Sequence, residues 1–124
     1  MTKSGPRRQI KPKLHQGEYV FCVISNLTSV PRSETLMEFK NEKDITIIIE
    51  RRKADKLGLP YSYIASWITL ELFSTLDEVG LTALFSQALA NNGISCNVVA
   101  GYYHDHIFVK KPNALQAIEI LRKI

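Results

Sequence analysis

Apolar residues fall along the chain in two rhythms, one suited to strands and one to helices. Tyr19–Ile24 is nearly all β-branched or aromatic, with Cys22 inside it, and reads as a strand covered on both faces. Residues 45–49 form a second such run, broken only by Thr46. Residues 64–73 predict a long strand with two unlike faces. Its even positions, Ile64, Ser66, Ile68, Leu70 and Leu72, are the more aliphatic and are expected to meet helices. Its odd positions mix Trp67 with Thr69 and Glu71, which suits a partly open sheet face or an interface. Residues 94–100 and 107–109 predict a hairpin turning at Gly101.

The helical rhythm is clearest in Leu81, Leu84, Phe85, Ala88 and Leu89, a stripe suited to lying on a sheet. Thr75 and Glu78 stand at capping-box spacing, so the helix is expected to begin there, and Gly93 to end it. Pro112 fits the start of a last helix, with Ala114, Leu115, Ile118 and Leu121 as its buried side. Residues 33–43 read as a weak helix, with Leu36, Met37 and Phe39 as its apolar side. Residues 25–32 read as a loop, and residues 53–57 as one helical turn closed by Gly58.

From residue 64 onward the order is strand, helix, strand, strand, helix. A helical crossover leaves one position between its two strands, and the third strand, antiparallel, fills it. This is a ferredoxin-like layer that stops before its last strand. Either residues 45–49 or Tyr19–Ile24 could fill the vacant edge beside residues 64–73. The expected fold is therefore α+β: a ferredoxin-like βαββα unit, with N-terminal strands completing a mostly antiparallel sheet and helices on one face. The expected organisation is a disordered basic arm over 1–13, a half-unit of strand, weak helix and strand over 14–62, and the βαββα unit over 63–124. The last two are expected to pack as one body.

Charge changes the picture in one respect. Residues 1–13 carry five cations and no acid, while the remaining 111 residues carry 11 basic and 12 acidic groups. The basic character belongs to the tail rather than to the body, which disfavours a nucleic-acid groove. Salt-sensitive RNA binding through the arm is the residual form of that idea. No apolar run is long enough to span a membrane, and no apolar stretch follows the basic start as in a secretory signal. Cys22 and Cys96 read as free thiols of a cytoplasmic protein.

The pattern Asp77, Gly80, Leu81, then helix, then Gly93, Ile94 and Asn97 resembles the ACT domain, over residues 63–124. The run Gly-Tyr-Tyr-His-Asp-His at 101–106 is similar to stand-alone bacterial ACT-like proteins of unassigned function. The resemblance implies a βαββαβ module that binds an amino acid or similar metabolite at an interface and regulates rather than catalyses. Two departures stand out: Val79 where the family often has proline, and a missing fourth strand with no catalytic domain attached.

Two constellations could carry chemistry. The first is the loop 74–81. A helix N-terminus offers unpaired N–H groups to a carboxylate, Asp77 could take an α-amino group, and Asn97 could add an amide. Gly80 and Leu81 would provide close backbone approach. The plainer account is that Thr75 and Glu78 only cap the helix. The second is the stretch 102–106. Tyr103 and His104 are candidate ligand contacts, and His104 with His106 a weak candidate metal pair. A packed hairpin turn is the plainer account there. Tyr61, Tyr63 and Trp67 read as core or interface packing. The expectation is a non-catalytic ACT-like protein, homodimeric and without a cofactor, that binds a small metabolite. The alternative is a protein–protein interaction module with no ligand.

Overall fold

The computed structural model describes residues 10–71 and 79–124. The described residues form seven strands: β1 (Pro12–Leu14), β2 (Tyr19–Ile24), β3 (Thr35–Lys40), β4 (Ile45–Glu50), β5 (Ile64–Leu70), β6 (Cys96–Ala100) and β7 (Asp105–Lys110). Three α-helices accompany them: α1 (Arg51–Leu57), α2 (Leu81–Ala90) and α3 (Ala114–Arg122). The chain divides into two compact units, Gln16–Ser66 and the segments on either side of it. Strand β5 begins in the first and ends in the second.

The unit Gln16–Ser66 pairs its strands in the order β3-β4-β2-β5. β2 runs antiparallel to β4 from Tyr19↔Glu50 to Ile24↔Ile45, and meets β5 at Tyr19↔Ala65 and Val20↔Ile64. Alternation sends Val20, Cys22, Ile24, Ile45, Ile47 and Ile49 to one side, where Ala54 of α1 joins their core. Gly58 closes α1 in the left-handed conformation (φ 71°), as its place after Leu57 predicts.

The expected weak helix over 33–43 is a strand. A 3-10 turn at Arg32–Glu34 leads into β3, which pairs with β4 from Thr35↔Ile49 to Lys40↔Ile45, with an irregularity between Thr35 and Met37. That bulge disturbs the alternation a strand should show. Pairing with the isoleucine-rich β4 outweighs the mild helical preference of the segment. The unit therefore holds four strands of a ferredoxin-like set, with short turns where its first helix would stand.

The second unit places β1 and β7 beside β5, with β6 beyond β7. β6 and β7 are antiparallel from Cys96↔Val109 to Ala100↔Asp105. Ile68 and Leu70 of β5 and Ile107 and Val109 of β7 share a core with Phe85 and Leu89 of α2 and Ala117 and Leu121 of α3. The even face of β5 does meet the helices. The edge expected to be vacant beside β5 is taken by β2 at its start and by β1 at its end, in register Pro12↔Leu70, Lys13↔Thr69 and Leu14↔Ile68.

The disordered arm therefore does not extend to residue 13. Ile10 is only 4% exposed and lies in the core, Glu71 N–H donates to Lys11 O (2.8 Å), and Pro12–Leu14 is a strand. The last strand that the ferredoxin-like order lacks at its C-terminal end is supplied from the N-terminal side. Two smaller expectations also change. Leu115 is 73% exposed and Ala117 takes its place in the core; Leu84 is also exposed. Helix α2 starts at Leu81, with Gly80 (φ 94°) as its N-cap, not at the Thr75–Glu78 pair, which lies outside the described residues. Its end follows expectation: Gly93 is left-handed (φ 73°), and Ile94 N–H donates back to Leu89 O at 3.0 Å.

Candidate functional site

Gly80 stands exposed before α2. Its conformation is one that side chains resist, yet an added Cβ would meet nothing within 4 Å, so the backbone turn alone requires glycine. The first intrahelical bond runs from Leu84 N–H to Gly80 O (3.0 Å), and Gly80, the N-cap, has no side chain with which to cap the end. The N–H groups of Leu81, Thr82 and Ala83 therefore have no acceptor within the helix. Leu81 is half-buried and leans on the core. Asp77 lies outside the described residues.

Asn97 is exposed on β6. Its neighbour Cys96 packs against the helix-side core, so alternation turns Asn97 to the other face. Within one chain, Asn97 therefore lies on the face of β6 opposite the core that α2 joins.

The hairpin 101–104 closes through Gly101 N–H donating to His104 O (2.9 Å). A Cβ on Gly101 would stand 2.7 Å from that same oxygen and 3.2 Å from His106 Nε2, so here glycine is required by space. Tyr102 and Tyr103 are exposed and pack edge to face, with centroids 4.9 Å apart. The Nδ1 atom of His104 is buried with no hydrogen-bond partner among the described residues.

His106 has different company. It lies on the helix-free face with Phe108, Trp67 and Thr69. Trp67 Nε1–H donates to His106 Nδ1 (3.1 Å), and Thr69 Oγ1 lies 3.0 Å from the same nitrogen. Thr69 Oγ1 is also 2.7 Å from His15 Nε2. The His15 ring stacks on Trp67, with centroids 3.5 Å apart and planes 12° apart. The proton positions follow by elimination. An indole N–H can only donate, so His106 Nδ1 accepts. The Thr69 hydroxyl then donates to His106 and accepts from His15 Nε2–H. An accepting Nδ1 makes the His106 imidazole neutral.

Burial pushes the pKa of each below its ordinary 6.5. For His15, Lys13 and His106 add to the effect and Glu71 opposes it. For His106, His104 adds to it and Asp105 opposes it. With Nδ1 committed to Trp67 and Thr69, His106 is no ready partner for His104 in a metal pair. The described residues hold no group of three or more His, Cys, Asp or Glu placed to take a metal ion.

Sequence reasoning singled out the odd face of β5 but did not find this cluster. His15 belongs to no motif in the sequence. The available signal was its place one residue past Leu14, beside a strand with Trp67 and Thr69 on one side. The aromatic residues expected to cluster have separate tasks: Tyr61 O–H donates to Asp55 (2.6 Å) and accepts from Arg51 Nε–H (2.9 Å), while Tyr63 packs edge-on to Phe21. Both cysteines are free, and burial raises the pKa of each.

A separate cleft of about 260 Å³ opens in the unit Gln16–Ser66, lined by Pro31, Ser33, Glu34, Lys53, Lys56 and Leu57. It holds none of the residues singled out in the sequence. Lys53 Nζ is already engaged by Glu50 (3.2 Å) and Glu34 (3.5 Å).

Two family profiles, both described as ACT domain, match residues 7–66 and 62–123. The chain belongs to the ACT domain family. The resemblance read over 63–124 thus extends to the first half, in line with its four-strand set. A crystal structure from Vibrio cholerae, of a protein of unknown function described as a possible transport protein, is 44% identical. It aligns over 93% of this chain and 88% of its own, with a TM-score of 0.87. Aspartokinase α and β subunits share the fold at 14% identity and a TM-score of 0.64, over 90% of this chain and 95% of theirs. Aspartate kinase from Clostridium acetobutylicum shares it at 11% identity and the same TM-score, over 92% of this chain and 33% of its own. Among curated proteins, none matches. ACT domains are regulatory modules that bind small molecules, and the ferredoxin-like architecture described above is theirs. Among the described residues no helix is long and apolar enough to cross a membrane.

Proposed function

We propose that this ACT-family chain is a non-catalytic cytoplasmic regulator that binds an amino acid or similar metabolite as a homodimer. The observation that supports the reading is the start of α2, where a left-handed Gly80 brings no capping side chain and the Leu81, Thr82 and Ala83 amides have no acceptor within the helix. Such an end suits a ligand carboxylate. Asp77 would take the amino group, and Tyr103 and His104 would form a wall from the hairpin. Asn97 lies on the face of β6 opposite the core that α2 joins, so it joins the site only from a second copy, which is the reason for the homodimer in this reading.

A thermal-shift screen of the amino acids, followed by calorimetry, tests it. A ligand at 100 times its Kd should add about 2.7 kcal/mol of stability. Asp77→Ala should weaken that ligand at least tenfold while leaving the apo melting temperature in place. No shift from any amino acid or related metabolite would end the proposal.

A second reading, a protein-interaction module with no ligand, draws on the helix-free face of Gln16–Ser66. There Phe39 and Val23, 62% and 60% exposed, flank Thr46 in one cross-strand row. A specific pull-down, indifferent to metabolites and abolished by Phe39→Asp, would favour it.

A further inference from the structure

Strand β1 is short, and its hold on β5 is concentrated. Three residues pair with β5, and two flanking bonds, His15 N–H to Trp67 O (2.9 Å) and Glu71 N–H to Lys11 O (2.8 Å), bracket them. Beyond these, the buried Ile10 and the packing of β1 against α3, the segment is held by the His15 side chain. It stacks on Trp67 and donates to Thr69, which in turn donates to His106. The three partners come from β5 and β7, so one side chain at the end of β1 is joined to two neighbouring strands.

We propose that His15, Thr69, Trp67 and His106 form an acid-sensitive latch that fixes β1 to the sheet while both imidazoles are neutral and loosens it when they take protons.

The chemistry follows from donor counting. A proton on His106 Nδ1 points an N–H at the Trp67 N–H, and two donors replace a donor–acceptor pair. The Thr69 hydroxyl must then turn, because the nitrogen it donated to no longer accepts. If His15 is also charged, two imidazolium N–H groups converge on one oxygen, and like charges stand on opposite sides of a single hydroxyl. The charged surroundings work against full compensation. Lys13 on β1 and His104 on the hairpin disfavour a further positive charge, while Glu71 at the end of β5 and Asp105 at the start of β7 favour it. On β6, the residue opposite His106 is Val99, which has no charge to offer. Phe108, 2% exposed and stacked near Trp67, keeps the floor of the cluster apolar.

The full chain carries its own probe. Trp67 is its one tryptophan, and an imidazolium quenches a stacked indole more than an imidazole does. Fluorescence is followed from pH 8 to pH 4.5 alongside the ring resonances of His15 and His106 and amide exchange corrected for intrinsic rates. The expected result is a fluorescence change that follows the His106 titration, with a midpoint below 6.5. Protection of the His15 and Glu71 amides should fall at least tenfold across it. The Arg51 amide, bonded to Glu18 O in the other unit, should change less than twofold. His106→Gln, which keeps an acceptor for Trp67 but does not titrate, should remove most of the response. Thr69→Val should shift its midpoint, and serves if His106→Gln does not fold. The proposal is overturned if protection at His15 and Glu71 tracks that at Arg51, or if His106→Gln responds to pH as the parent does. A His106 titration at or above 6.5 overturns it equally.

Discussion

Replacing Ile10 with alanine asks whether the segment before β2 is structural. Ile10 is 4% exposed and packs with Ile68, Leu70, Phe85 and Leu121 in the core of the second unit. The change removes three carbons. At about 0.8 kcal/mol per buried CH₂, the transfer loss is about 2.4 kcal/mol. A residual cavity adds to this, within the span of about 2–5 kcal/mol found for such truncations. Leu14 is the internal control. It is of equal size and only four residues away, but 38% exposed, so Leu14→Ala should cost about 1 kcal/mol or less. Urea unfolding followed by Trp67 fluorescence separates the two. With a slope of roughly 1–3 kcal/mol/M, Ile10→Ala should move the midpoint down by about 1–2 M without changing the slope. A midpoint for Ile10→Ala equal to that of Leu14→Ala would refute the placement of Ile10 in the core, and with it the strand β1 that follows.

Three further outcomes follow from glycines and histidines. Gly101→Ala should lower the melting temperature through a cost of about 1–3 kcal/mol, because its Cβ would stand 2.7 Å from a backbone oxygen; a neutral substitution would mean that the hairpin closes otherwise. Gly80→Ala should cost about 1–2 kcal/mol through conformation alone and Gly80→Asn less, measured by urea unfolding; equal costs would argue for a steric origin instead. Stability should depend on pH with a definite sign: the folded chain holds His15 and His106 below 6.5, so the unfolded chain binds more protons, and stability falls as pH drops from about 6.5 toward the folded values. The urea midpoint should therefore decline less in the double variant His15→Gln/His106→Gln than in the parent between pH 7.5 and pH 5.5, and parallel declines would contradict the assignment.

Much of the fold could be read because it rests on local pattern. The stripe ending in Phe85 and Leu89, the left-handed Gly93, and the alternation of Ile68 and Leu70 each record burial of one face, and burial is what periodicity reports. Segment 33–43 misled because its alternation is interrupted by a bulge, and its strand state comes from the partner β4 rather than from its own residues. Tandem ACT modules were only half visible for the same reason: the first module has turns where the helix of the family pattern would stand.

The polar cluster was the least legible part, since its members are separated by 54, 37 and 39 positions in the chain. Hydrophobic pattern says that Trp67 and Thr69 share a face, but not which polar atoms meet them there. That depends on register, and a three-residue strand containing Pro12 and Lys13 specifies register weakly. A slip of one residue would carry Leu14 over Trp67 and turn His15 toward the helices, leaving the Thr69 hydroxyl, 7% exposed, without its donor. Thr69 would then lose a hydrogen bond in a site water barely reaches, a cost of about 1–3 kcal/mol. The side chains that make the face polar thus also select the pairing that builds it. Burial of Ile10 in the core and the bond from His15 to Thr69 would both be lost in such a slip, so the apolar and the polar contact hold β1 to the same place along β5.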